Sequence, residues 1–284
     1  MKRVLIAGAG SYIGENLAAW LGAAPERFET QTLDLRCGDW REFDFTGFHA
    51  AVLVAGLAHQ KETPENAPLY DAVNRALAME VAAAAKAAGV RQFVFFSSMS
   101  VYGLTVGRIH ADTEPAPNTA YGKSKLAAER ELAALADERF RVAVLRPPMV
   151  YGRGCRGNYP RLSALIRKTP VFPKVKNERS MLYIDTLCAF LAALLESGGG
   201  GLYFPQNRQY VNTGELARHI ALAHGKRIRQ PGGFARPVAL LARRGGTFGK
   251  VFGTLTYDQG MSAAFRPEAE LPFAQTVRAA EAEE

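Results

Sequence analysis

Three features of the chain predict an α/β fold built on a doubly wound parallel sheet. Short, wholly apolar runs recur through its first half, each followed by a helical pattern, which is how parallel strands covered on both faces read. The first run enters a glycine-rich turn, Gly8-Ala9-Gly10-Ser11-Tyr12-Ile13-Gly14, that opens directly into a helix. The 284 residues can bury a large core, as one domain or as a domain with a lobe.

Residues 4–7 form the first strand and 15–21 the helix after the turn. Gly8 permits the tight turn, and Gly10 or Ser11 lets the backbone approach a pyrophosphate. Gly14 lets the helix pack close on the strand, and the helix N-terminus favours an anion. The third glycine comes one residue later than in GxGxxG, so the spacing is nearer GxxGxxG with Ser11 in the middle glycine's place. A plain strand–helix turn is the alternative. The second strand, 29–33, ends at Asp34, twenty residues after Gly14. A carboxylate there can accept both hydroxyls of an adenosine ribose and repels a 2′-phosphate, which favours NAD over NADP. Arg36 is close enough to do the opposite. Asp39 is either near the adenine or a plain loop carboxylate.

The third strand, 50–56, runs into Val54-Ala55-Gly56-Leu57-Ala58-His59. Small residues at a strand's carboxyl end leave room for a cofactor. His59 either faces the nicotinamide or substrate or is a solvated loop histidine. Residues 69–88 read as one long alanine-rich helix containing Asn74, ended by Gly89, and 93–96 as the fourth strand. That strand ends in Ser97-Ser98-Met99-Ser100-Val101-Tyr102-Gly103. Ser98 either caps the strand end or bonds the substrate oxygen that Tyr121 would titrate. After a polar, proline-containing loop, 104–119, the helix 120–136 carries Tyr121 and Lys125. Four residues apart, they share one helix face. An ammonium beside a phenol favours the phenolate, so Tyr121 is expected to have a lowered pKa. The strand 142–145 leads into Arg146-Pro147-Pro148-Met149-Val150-Tyr151-Gly152, where the prolines force an extended exit.

The second half is less regular. Helices are expected at 160–167, 183–195 and 213–224, the last with Thr213 and Glu215 near its start, and a strand at 201–205. Residues 236–244 suggest a short basic helix over the pocket. The tail 268–284 is acidic and expected to be exposed, with a short helix near 273–282.

Hydrophobic residues make up 48% and charged residues 22%, ordinary values for a globular protein. The formal net charge of +8 suits nucleic acid, an anionic membrane surface or small anionic ligands. Local basic clusters lie at 153–167, 226–229 and 243–244 without a nucleic-acid motif, so a solvated surface and an anionic substrate are expected, with no nucleic-acid or membrane partner. Cys37, Cys155 and Cys188 form no CxxC, which fits reduced thiols in a cytoplasmic protein and no metal site. No signal peptide is read at the N-terminus, and no apolar run approaches the ~20 residues needed to span a bilayer.

The glycine turn, Asp34, the segment 54–58, Asn74, the segment 97–103, Tyr121–Lys125 and the segment 146–152 occur in the order found in extended short-chain dehydrogenases/reductases. The chain most resembles their NAD-dependent epimerase/dehydratase branch, which acts on nucleotide sugars and includes the UDP-glucose 4-epimerases. The resemblance covers roughly residues 1–205 well and the remainder loosely. It implies a Rossmann-type doubly wound parallel sheet with a smaller C-terminal substrate-binding lobe. Residues 1–152 would bind NAD, or NADP, with 183–205 returning to that domain; 153–182 and 206–284 would form the lobe. By resemblance Ser98, Tyr121 and Lys125 are the catalytic triad, with Tyr121 the acid/base and Lys125 also holding the nicotinamide ribose. Cofactor contacts would come from Gly8, Gly10, Ser11, Tyr12, Ile13 and Gly14 in the turn and from Asp34 at the ribose. Ala55, Gly56, Leu57, Asn74 and Pro148 would complete them around the nicotinamide half. Substrate contacts would come from His59, Met149, Asn158 and Arg179, with Arg179 paired to the diphosphate.

Three departures refine this. Ser11 replaces a glycine. Met149 stands where UDP-galactose epimerases usually carry a substrate-touching asparagine. Met99 and Ser100 stand where 4,6-dehydratases carry an Asp-Glu pair, which removes the acid and base of dehydration. The expectation is therefore a 4-epimerase working through a transient 4-keto sugar, as a homodimer. Its rivals are a one-way 4-keto-sugar reductase and a non-catalytic dinucleotide sensor.

Overall fold

The structure is a computed structural model that describes residues 1–282 except 59, 61, 244, 245, 266, 268 and 269. The glycine turn joins β1 (Lys2–Ala7) to α1 (Tyr12–Gly22), followed by β2 (Phe28–Leu33) and β3 (Ala50–Leu53). Then come α2 (Ala67–Asp71), α3 (Leu77–Ala87), β4 (Gln92–Phe96), the short β5 (Gly107–Ile109), α4 (Ala120–Leu135) and β6 (Arg141–Leu145). The rest of the chain adds β7 (Met149–Tyr151), α5 (Asn158–Lys168), β8 (Met181–Tyr183), α6 (Ile184–Ser197) and β9 (Gly201–Tyr203). It ends with α7 (Thr213–Ala223), α8 (Ala235–Arg243), α9 (Gly246–Phe252), β10 (Leu255–Tyr257) and α10 (Phe273–Ala280).

Six strands form one parallel sheet in the order β2-β1-β3-β4-β6-β9. The alternation along β1 shows why it is covered twice: Val4 and Ile6 enter one core, Leu5 and Ala7 the other. Helices α1 and α6 contribute to the first core, α3 and α4 to the second. The strand order reverses between β1 and β3. Such a reversal opens a crevice at the strands' carboxyl ends, where α/β sheets bind ligands. No helix among the described residues is long and apolar enough to cross a membrane.

Four local features differ from the sequence expectations. The helix expected over 69–88 is broken by a π-helical turn, Ala72–Ala76, centred on Asn74. The extra residue in that turn aims the Asn74 amide at Leu57 instead of along the helix. The loop 104–119 contains β5, which pairs with β10, and the extended exit 146–152 contains β7, which pairs with β8. Strands of three residues are too short for a periodic signal. They also carry residues from the expected nucleotide-binding region into the smaller second half. Lastly, the acidic tail is docked rather than exposed. Val277 and Thr276 of α10 are buried, and the Glu281 carboxylate bonds His224 at 2.7 Å and Ser163 at 2.7 Å.

Candidate active site

The turn after β1 is shaped by two close approaches. A Cβ on Gly8 would lie 2.6 Å from the Ala55 backbone nitrogen, and its φ is +129°, so only glycine lets β1 and β3 come together at the crevice. A Cβ on Gly14 would lie 3.0 Å from Val54 Cγ2, so α1 rests directly on β3's exit. Ser11 does a different job from the one its position suggested. Its hydroxyl donates to Gly8 O at 2.6 Å and accepts from Gly14 N at 3.2 Å, capping α1. The N–H groups of Tyr12 and Ile13, first in α1, have no intrahelical acceptor, as suits an anion at the turn. The Tyr12 side chain points elsewhere: its hydroxyl is buried with no partner among the described residues, and a Cβ on Gly152 would meet it at 2.5 Å. Gly10 is exposed and has only the Arg36 guanidinium near its missing Cβ, at 3.8 Å.

Asp34 ends β2 at the same edge. The Arg36 guanidinium grips its carboxylate, at 2.6 Å from Nη2 and 2.9 Å from Nε. Those bonds and the Arg36 N–H hold the Asp34 carboxyl down to about 2. The carboxylate expected at the ribose and the arginine expected to oppose it therefore form one pair. Asp39 is exposed. The open face at Gly10, the free helix-start donors and Asp34 suit a dinucleotide laid across β1 and β3.

At the other end of the crevice, Asn74 fixes the segment after β3. Its Oδ1 accepts from Leu57 N at 2.9 Å, while Nδ2 donates to Leu57 O at 3.1 Å and to Ser124 Oγ at 3.1 Å. Asn74 is thus a strut between the β3 exit and α4. Gly56 is pressed between them: a Cβ there would lie 3.0 Å from Asn74 Oδ1 and 3.2 Å from Lys125 Nζ.

Ser98 follows β4. It caps the turn Met99–Tyr102 by accepting from Ser100 N at 3.1 Å and donates to Ser100 Oγ at 3.2 Å, and its hydroxyl faces the Tyr121 phenol. Tyr121 lies on the first turn of α4, with the Tyr70 ring edge-on at 6.2 Å. Burial raises the Tyr121 pKa; the nearby Ser98 hydroxyl opposes this and the Tyr70 phenol adds to it. The pull toward phenolate expected from Lys125 is not among these influences. Lys125 is itself buried, with Nζ 4.7 Å from the centre of the Phe95 ring. Burial brings its ammonium down to about 7, against an upward pull from Glu129. Among the described residues Lys125 Nζ has no hydrogen-bond partner, so its donors are available to a ligand.

Glu129, one turn beyond Lys125 on the same face, belongs to a buried network that was not anticipated. Its carboxylate takes Arg146 Nη2 at 2.6 Å and Nε at 3.0 Å, and Ser97 donates to it as well. Arg146 Nη1 donates to Tyr102 OH at 2.9 Å. The network ties the ends of β4 and β6 to the helix that carries Tyr121. The i, i+4, i+8 spacing of Tyr121, Lys125 and Glu129 is its only trace in the sequence.

The remaining expected residues are more dispersed. Pro148 is buried at the β6 exit and Met149 is half-buried at the start of β7. Asn158 is exposed on the first turn of α5. Arg179 lies between Val211 and Leu255 and donates to the carbonyls of Gly253 at 3.0 Å and Gly249 at 3.4 Å. Burial alone lowers its guanidinium to about 10, and among the described residues it has no carboxylate partner. His59 lies outside the described residues.

Residues 4–203 match the model of the NAD dependent epimerase/dehydratase family. The chain is 27% identical over 278 residues to UDP-glucose 4-epimerase of Vibrio cholerae, covering 89% of this chain and 83% of that protein. It is 28% identical over 247 residues to the N-acetyl-alpha-D-glucosaminyl-diphospho-ditrans,octacis-undecaprenol 4-epimerase of Escherichia coli O157:H7, covering 79% and 73%. Its fold superposes on UDP-glucuronic acid 4-epimerase from Bacillus cereus in complex with NAD with a TM-score of 0.74 at 17% identity, covering 98% and 95%. The match spans most of the chain and contains the whole crevice from Gly8 to Pro148, so the protein belongs to the NAD dependent epimerase/dehydratase family and is an enzyme of that type.

Proposed function

We propose that the protein inverts C4 of a nucleotide sugar through a transient 4-keto intermediate, with Ser98, Tyr121 and Lys125 as its catalytic residues. The observation that carries this reading is Tyr121 at the start of α4, facing Ser98 and one turn from a buried Lys125 whose Nζ has no hydrogen-bond partner among the described residues. The Vibrio cholerae and Bacillus cereus proteins, both 4-epimerases by name, support the same chemistry.

Tyr121 takes the proton of the C4 hydroxyl and, once the keto sugar has turned over, returns it to the same oxygen. Ser98 holds that oxygen in both orientations, since a hydroxyl can donate or accept. Lys125 holds the nicotinamide ribose with its free donors, and its charge favours the phenolate of Tyr121 once that ribose draws it forward. Asp34 takes the adenosine ribose hydroxyls. Bound NAD supplies the hydride acceptor and donor. Arg179 and Asn158 keep the diphosphate anchored while the keto sugar turns over. Arginine suits this role because its planar fork binds two phosphate oxygens and stays charged when buried. Met99 and Ser100 offer no acid or base for dehydration. The protein acts as a homodimer through α2, α3 and α4.

The test incubates the purified protein with UDP-glucose, UDP-N-acetylglucosamine and UDP-glucuronic acid and follows the C4 proton by NMR. Inversion without net consumption of dinucleotide is expected. Stoichiometric oxidation of added NADH or NADPH by a 4-keto sugar would instead make it a reductase.

A further inference from the structure

The charge of this chain is segregated. Between Glu215 and Asp258 there are eight lysines and arginines and no acidic residue, so this stretch holds the entire net charge of +8 and the rest of the chain is neutral. It comprises most of α7, the following loop, α8 and α9. Arg218, Lys226, Arg227, Arg229 and Lys250 are exposed on it.

The same stretch shows bulky apolar side chains to solvent. Leu240 is 63% exposed, Leu241 42% and Phe248 46%. Pro237, Leu240 and Leu241 recur at i, i+3 and i+4 and so form one stripe on α8. Among the described residues of α8 the buried one is small: Ala242, whose carbonyl would lie 3.1 Å from a Cβ on Gly249 of α9. A surface helix ordinarily buries its large apolar residues and exposes its small ones. Among the described residues of α8 the order is reversed, and Lys250 is exposed on α9, which packs against it.

We propose that the α8–α9 hairpin docks the protein on an anionic membrane surface, with Leu240, Leu241 and Phe248 in the interface and the exposed cations of the stretch against the headgroups. A stripe of leucine and phenylalanine flanked by lysine and arginine is the composition of interfacial helices, and each cation near an anionic leaflet adds attraction. A second copy of the chain suits this face poorly, because a two-fold contact sets the patch against itself and brings like charge against like charge. Attachment is peripheral and needs no spanning helix. It also has a geometric consequence, which rests on the proposed function. Arg179 bonds the carbonyls of Gly249 and Gly253, so the arginine assigned to the diphosphate sits directly against the docked hairpin.

The experiment is co-sedimentation with vesicles of phosphatidylcholine alone and of phosphatidylcholine mixed with phosphatidylglycerol. Binding to the mixed vesicles is expected to be at least about tenfold stronger and to weaken with salt. The double variant Leu240→Glu, Leu241→Glu should lose at least about tenfold of that binding, while its circular dichroism, dinucleotide binding and turnover of soluble substrate stay unchanged. Lys250→Glu should lose part of it. Equal binding to both vesicle types, or undiminished binding by the double variant, overturns the proposal. So does conversion of a dimer to a monomer by the double variant, which would make the face a subunit interface. Binding to an RNA probe that ignores the leucine changes would make it a nucleic-acid surface and equally overturn it. Failure of the epimerase reading would leave vesicle binding untouched, so the two results are separable.

Discussion

The two halves of the candidate site each bury a cation, and they treat it differently. Lys125 sits on α4 beside the carboxylate of Glu129, yet burial brings it down to about 7. Arg179 sits under the α9–β10 connection with no carboxylate partner among the described residues, and burial lowers it only to about 10. A buried lysine can shed its charge near neutrality; an arginine holds its charge. That contrast suits the division in the proposed mechanism, with proton work at Lys125 and Tyr121 and an anion held at Arg179. Fold and family place both in one enzyme; among the described residues Arg179 is held by the carbonyls of Gly249 and Gly253, whereas Lys125 Nζ has no hydrogen-bond partner.

The largest effect expected is at the proton-transfer side. Tyr121→Phe removes the only hydroxyl that Ser98 shares with the substrate oxygen in the proposed mechanism. Turnover should fall by about a thousandfold with dinucleotide binding retained, as measured by fluorescence titration. Full activity in this variant would remove Tyr121 from the chemistry and leave Arg179 as the site's main feature. Glu129→Gln comes next. It leaves Arg146 buried without its carboxylate, which should cost about 3 kcal/mol of stability, read from urea unfolding. It should also move the Lys125 titration further down, because the upward pull on that ammonium is lost. A merely structural role for Glu129 would lower stability and leave the pH profile in place.

These expectations bear on what the sequence could disclose. The turn after β1 and the Tyr121–Lys125 pair are local patterns, and local patterns are legible because one element presents all their residues. Glu129 was within reach of the same reasoning, since it extends that helix face by one more turn. Arg146 and Ser97 were not, because they arrive from the ends of β6 and β4 and meet Glu129 only in the folded sheet. Ser11 was read as a stand-in for glycine, whereas its hydroxyl caps α1; the same letters serve either purpose. The sign of the Tyr121 shift was missed for a related reason. Spacing places an ammonium on the same face but says nothing about burial, and burial dominates both groups.

Arg179→Lys tests the anion-holding side. The lysine would carry a compact charge without a fork and could neutralise where arginine cannot. Substrate KM should rise by about tenfold with kcat changed little, because the anchor binds ground and transition states alike. A fall in kcat at unchanged KM would place Arg179 with Tyr121 and erase the division between the two halves. The ligand-free protein offers a gentler probe. With its pKa lowered from 10.5 to about 7, Lys125 is uncharged in the folded chain while still protonated in the unfolded chain across that interval. The unfolded state then binds the extra proton, so stability should rise with pH from about 7 toward 10.5. Lys125→Met should flatten that rise in urea midpoints; an equal slope in both proteins would mean that Lys125 keeps its charge.

The smallest effect belongs to a third cation, Arg36, which differs from the other two in standing largely in water. Its bonds to Asp34 hold that carboxyl near 2, but exposed pairs exchange readily with solvent and contribute little to stability. A ribose can therefore draw Asp34 away from Arg36 without disturbing the fold. Both groups also lie at the edge where a 2′-phosphate would sit, one repelling it and the other attracting it. Arg36→Ala should leave thermal stability unchanged and shift the ratio of NAD to NADP affinities toward NAD by about threefold. An unchanged ratio would mean that Asp34 alone sets the preference. A shift toward NADP would mean that Arg36 serves NAD by orienting that carboxylate, which is the opposite of a competing charge.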